Sequence, residues 1–118
     1  MTNFNSADQY YPLDSNVPMN VSSTGTTVAV GAYEYVMFAI HWSGANANNS
    51  TCTLEVSDTG LPGTWENDPG ATFTMNGASG SHYWQFWLQA IPYVHVAYNN
   101  IAAGAGTFNT AYRGEVPA

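Results

Sequence analysis

Lysine is missing from this chain, and Arg113 is its only arginine, so one side chain of dependable positive charge stands against eight carboxylates. Non-specific nucleic-acid binding draws its free energy from Lys and Arg neutralising phosphates, and a formal charge of -7 builds no such surface. Adhesion to an anionic membrane fails for the same reason. Charged residues of either sign make up only 8% of the chain, against roughly 25% in ordinary soluble domains. Its polar surface is therefore left to Asn, Thr, Ser, Gln and Gly, which suits lasting contact with a protein or a sugar. The lone Cys52 excludes an internal disulfide, so stability rests on packing or on assembly. No apolar run approaches the roughly 18 residues that span a bilayer. The opening Met1-Thr2-Asn3-Phe4 has neither the basic nor the apolar segment of a secretion signal, and synthesis in the cytosol is expected.

What is present is apolar and aromatic. With 118 residues, 45% of them hydrophobic and 14% aromatic, the chain has the material for one packed domain and too little for two. Residues 1–16 show no period and hold Tyr10, Tyr11, Pro12 and Leu13 among polar neighbours. They read as an extended N-terminal arm ahead of a domain over residues 17–118. From Val17 onward, β-branched and aromatic runs alternate with Gly, Asn, Pro and Ser clusters every 8–12 residues or so, the pattern of an all-β sandwich or barrel. Strands are expected at residues 17–22, 26–30, 33–42, 51–57, 64–66, 71–75, 82–89, 93–98 and 106–113. Asn67-Asp68-Pro69-Gly70 and Asn76-Gly77 are among the turns that separate them. The fold class is a single antiparallel β-sandwich, jelly-roll or Ig-like.

The third strand has two water-averse faces. Val36, Phe38, Ile40 and Trp42 alternate with Tyr33, Tyr35, Met37, Ala39 and His41, and residues 82–89 repeat the arrangement with Tyr83, Gln85 and Trp87 on the second side. A sheet with one wet face alternates apolar with polar. Here the second face is covered either by the chain's own loops and arm or by a partner, since Tyr and Trp are enriched and charge is depleted at interface cores. The candidate partner-binding residues are Tyr10, Tyr11 and Leu13 in the arm, with Tyr33, Tyr35, Tyr83, Trp87 and Tyr93 in the domain.

Catalytic patterns are weak. The stretch Gly77-Ala78-Ser79-Gly80 lacks the second glycine of a nucleophile elbow, and Cys52 alternates in phase with Leu54 and Val56, which makes it a core thiol. His41, His82 and His95 fall on three different strands with no metal-ligand spacing. Glu55 and Glu66 are the only strand carboxylates near enough in sequence to form a glycosidase pair, and solvated strand-face charge explains both. Asp58 and Asp68 sit in turns, and Trp65 is expected to be buried packing. No catalytic residue, cofactor or metal is assigned.

Phe38-x-Ile40-x-Trp42-x-Gly44, then residues 53–58 (Thr-Leu-Glu-Val-Ser-Asp) running through Gly63 to Trp65, then Tyr93-Val94-His95-Val96-Ala97-Tyr98, then Gly104-x-Gly106-Thr107-Phe108 with Arg113-Gly114, resembles small β-sandwich proteins of tailed-phage virions. The chain departs from their pattern in carrying His95 and Ala97 where an Arg is common. The resemblance implies a non-enzymatic virion component, made in the host cytoplasm, of the capsid-decoration, fibre or tail-associated kind. It would bind the major capsid protein or another virion protein and form a homo-oligomer, with no nucleic-acid or membrane partner. The alternative is a carbohydrate-binding module or host-recognition protein in which Tyr33, Tyr35, Tyr83, Trp87 and Tyr93 stack on a glycan.

Overall fold

The period-two alternation becomes two antiparallel sheets. The computed structural model describes residues 11–44, 46–87, 92–101, 103 and 105–115, and for 67–70, 86 and 87 the backbone alone. Its strands are β1 (Tyr11–Pro18), β2 (Ser23–Thr24), β3 (Val28–Ala29), β4 (Tyr35–Ser43), β5 (Ser50–Ser57), β6 (Glu66–Met75), β7 (Ser79–Trp87), β8 (Tyr93–Asn99) and β9 (Thr107–Glu115). No helix occurs among the described residues.

The front sheet runs β1-β9-β4-β7 and the back sheet β2-β8-β5-β6, with β3 also on β8. Strands β2 and β3 are two residues each and both pair with β8, so they act as one interrupted strand. Counted that way, first pairs with last throughout: β1 with β9, β2/β3 with β8, β4 with β7 and β5 with β6. The β4–β9 and β5–β8 ladders join these pairs within each sheet. That winding is the jelly roll, so of the two expected sandwich types the topology selects the first.

The core lies between the sheets. Val36, Phe38, Ile40 and Trp42 of β4 face Cys52 and Leu54 of β5 and Val94, Val96 and Tyr98 of β8, all buried. Each fully buried side chain such as Phe38, Ile40 or Leu54 contributes about 1.5–3 kcal/mol over its exposed state. The polar tips of the core aromatics are satisfied, and Trp42 Nε1–H donates to the Gly77 carbonyl at 3.4 Å. Trp84 Nε1–H donates to the Ala71 carbonyl at 2.8 Å, and the Tyr98 hydroxyl donates to the Met19 carbonyl at 2.8 Å.

Several boundaries differ from expectation, among them β2, which falls between two expected strands, and β7, which begins at Ser79 ahead of the expected 82. Residues 11–16, read as arm, are the first part of β1, which pairs with β9 from Tyr11 opposite Tyr112 to Pro18 opposite Thr107. Its prolines and two register shifts hide the strand from a period-two reading. The expected strand at 17–22 is correspondingly absent, because Val17 and Pro18 finish β1 and the chain then turns at Met19 and Asn20. Residues 67–70, read as a turn, lie inside β6. Between the Thr53–Thr72 and Glu55–Asn67 pairs, β5 advances past Leu54 alone while β6 passes residues 68–71, so the Pro-Gly chemistry makes a wide bulge. Residues 1–10 lie outside the described residues.

Candidate binding surfaces

On β4, alternation sends Tyr35, Met37, Ala39 and His41 to the outer side of the front sheet. The register sets Tyr83 and Gln85 of β7, and Asn109 and Ala111 of β9, beside them. The Tyr35 hydroxyl donates to Gln85 Oε1 at 2.7 Å, and His41 meets the Tyr83 ring edge-on at 5.9 Å. Ala39, at the centre, is enclosed by these longer neighbours, whereas Tyr83 is 48% exposed. The Asp, Glu, Lys and Arg residues on the β4, β7 and β9 positions of this face are Arg113 and Glu115, together at one end. The surface is neutral, aromatic and amide-rich.

The structure does not gather all eight candidate residues. Tyr35 and Tyr83 share the outer front face, and Trp87 is paired opposite Tyr35 there, its side chain being outside the described set. Tyr11, Tyr33 and Tyr112 form a separate cluster at the end of the sandwich. The Tyr11 and Tyr112 rings are 5.3 Å apart, Tyr33 meets Tyr112 edge-on at 6.3 Å, and Tyr112 stacks on Phe38 at 5.8 Å. Burial, then the neighbouring Tyr33 and Tyr11 hydroxyls, push the Tyr112 phenol up to about 12. Leu13 packs half-buried against the core. Tyr93 belongs to the back sheet, where the backbone of Gly60, at a φ of 75°, crosses its ring. Tyr10 lies outside the described residues. The five rings assigned to a glycan platform therefore do not share one surface.

A second surface, which the sequence reading did not identify, forms at the back sheet. Glu55 of β5 lies opposite His95 of β8, and their side chains meet at 2.6 Å between Oε1 and Nε2. A carboxylate only accepts, so the His95 nitrogen facing it carries a proton. The indole of Trp65 stacks on the buried imidazole with ring centres 3.7 Å apart. Trp65 is thus only partly buried, packed on His95 at the outer side, where full burial was expected. Glu66 pairs opposite Val56 while Glu55 pairs opposite Asn67, so consecutive alternation turns the two carboxylates to opposite sides of the sheet.

The loop beside Trp65 is tied by hydroxyls. Ser57 Oγ accepts from the N–H groups of Thr59 (3.2 Å) and Gly60 (2.8 Å). Thr64 Oγ1 donates to the Leu61 carbonyl at 2.6 Å, which leaves it to accept the Ser57 proton at 2.5 Å. This pre-ordered loop borders a cavity of about 490 Å³ lined by Val56, Ser57, Asp58, Thr64, Trp65, Glu66, Pro92 and Gly63. A signal for it was present in sequence as Ser57, Thr59 and Thr64 flanking two glycines.

The remaining nucleophilic and ligating groups are dispersed. Cys52 is buried, and desolvation pushes its thiol up to about 12, which leaves no thiolate at neutral pH. Among the described residues no three His, Cys, Asp or Glu side chains converge as metal ligands. Comparison with protein-family models, curated proteins and solved structures finds no match for this chain.

Proposed function

We propose that this chain is a non-enzymatic structural protein of a phage virion that decorates or cements the capsid by binding the major capsid protein. The observation that carries the reading is the outer face of the front sheet, where Tyr35, Tyr83, Gln85 and His41 present an aromatic, nearly uncharged surface with Tyr83 48% exposed. Depletion of charge with enrichment in aromatics is the compositional mark of an interface core. Supporting it are the resemblance in the β5, β8 and β9 segments and a lysine-free composition that does not attract the packaged nucleic acid. The jelly roll serves viral capsid and lectin domains alike, a fold-level analogy and no more. Mass spectrometry of purified particles is the test. A fixed stoichiometric ratio of this chain to the major capsid protein is expected, and its absence from particles overturns the reading.

The cavity beside Trp65 favours one second reading, a saccharide-binding module. An indole with Val56 and Pro92 offers apolar contact to a sugar ring's C–H face, and Asp58 and Glu66 offer hydroxyl acceptors. Titration with neutral disaccharides, read by tryptophan fluorescence in the parent and in Glu66→Gln, separates the readings: saturable quenching lost in the variant supports the module.

A further inference from the structure

A sheet edge presents a row of unpaired N–H and C=O groups, and proteins guard such edges with proline, charge, bulges or shortness. Three of the four edges here are guarded. Strand β1 carries Pro12, Asp14 and Pro18 with two register shifts, β6 carries Pro69 with its wide bulge, and β2 and β3 are two residues each. Strand β7 has none of these devices. It is nine residues long, holds no proline and no Asp, Glu, Lys or Arg, and pairs with β4 in an unbroken register from Ser79 opposite Ser43 to Trp87 opposite Tyr35. Among the described residues no strand lies on its other side.

We infer that β7 is a self-pairing edge, and that two copies of this chain join through it antiparallel about a two-fold axis into one continuous eight-stranded front sheet. Charge selects the occupant. At formal charge -7 two copies repel, and β1 and β6 bring Asp14, Glu66 and Asp68 to their edges. Of the long edge strands, β7 alone lets two copies approach without carboxylates on the joining strands, and β2 and β3, also free of carboxylates, offer only two residues each. The strand also complements itself. With the axis at its midpoint, Tyr83 faces its own copy as an aromatic pair and Ser81 faces Gln85, a small hydroxyl against an amide. The union extends the neutral face across both copies. The inference stands apart from the capsid reading, because it concerns the purified chain with no particle present.

Sedimentation velocity of the full chain tests it, together with Tyr83→Lys and Tyr83→Cys. The parent is expected to sediment as a dimer. Tyr83→Lys sets two ammonium groups opposite each other at the axis, and its dimer dissociation constant should rise at least tenfold, about 1.4 kcal/mol. Antiparallel pairing brings the two residue-83 Cβ atoms to about 5 Å, so oxidised Tyr83→Cys should run as a disulfide-linked dimer. Cys52 is buried and gives no background, and Ser15→Cys on β1 serves as the unlinked control. A parent that stays monomeric at all attainable concentrations overturns the inference. So does a dimer that neither weakens with Tyr83→Lys nor crosslinks through residue 83.

Discussion

Burial of three side chains makes stability depend on pH. Burial raises the Cys52 thiol from 9.0 to about 12 and the Tyr112 phenol from 10.0 to about 12, and it lowers the His82 imidazole below 6.5. Above pH 9 the unfolded chain releases protons that the native thiol and phenol retain, so stability falls from there toward pH 12. Below pH 6.5 the unfolded imidazole takes up a proton that native His82, stacked on Phe73 at 4.0 Å, resists, so stability falls again on the acid side. Urea midpoints across pH should therefore decline at both ends, and His82→Gln should flatten the decline just below pH 6.5. Unchanged acid-side slope in that variant contradicts the assignment. The tryptophans differ in the same physical terms. Trp84→Ala removes a buried indole and orphans the Ala71 carbonyl, for about 3–5 kcal/mol. Trp65→Ala uncovers only one face of His95 and should cost clearly less, which thermal melting of the pair will rank. The phase of β4 was readable from its alternating residues. Trp65 was not, because the bulge in β6 resets alternation and local sequence carries no record of the offset.

At the level of elements, β4, β5, β7, β8 and β9 follow from alternation because each turns buried side chains such as Phe38, Leu54, Trp84, Val96 and Phe108 to the core. β1 was missed because an edge strand with prolines and bulges keeps neither period nor continuous apolarity. The consequence for the arm is direct. Asp14 ties β1 to the β2–β3 connection, accepting from the Thr26 N–H at 3.0 Å and the Thr26 hydroxyl at 2.7 Å. A chain that starts at residue 11 serves as the reference. Removing residues 1–18 strips β9 of its partner and uncovers Tyr112, and should lower the melting temperature by many degrees. Equal melting of the two truncations would mean that β1 does not stabilise the fold.

Across the whole molecule, the choice between jelly roll and Ig-like sandwich was illegible because it depends on which distant strands pair. β1 with β9 and β2 with β8 close loops of most of the chain, and no local pattern encodes them. The candidate face was legible in part: Tyr35 and Tyr83 follow from alternation, while Tyr33 and Tyr93 are carried elsewhere by the turn before β4 and by the other sheet. Composition, being global, was readable at once, and it bears on how the protein would hold the capsid partner proposed for it. With no lysine and a single arginine, attachment to that proposed partner is expected to depend on apolar burial and neutral hydrogen bonds. Salt screens charge pairs and leaves apolar burial largely intact. The deciding measurement is the affinity of the purified chain for capsid particles between about 0.1 and 1 M NaCl, over which the screening length falls from roughly 10 Å to 3 Å. Affinity that holds within a few-fold across that range is the predicted result; a loss of about tenfold or more, 1.4 kcal/mol, would mark an electrostatic interface and contradict the neutral-face account.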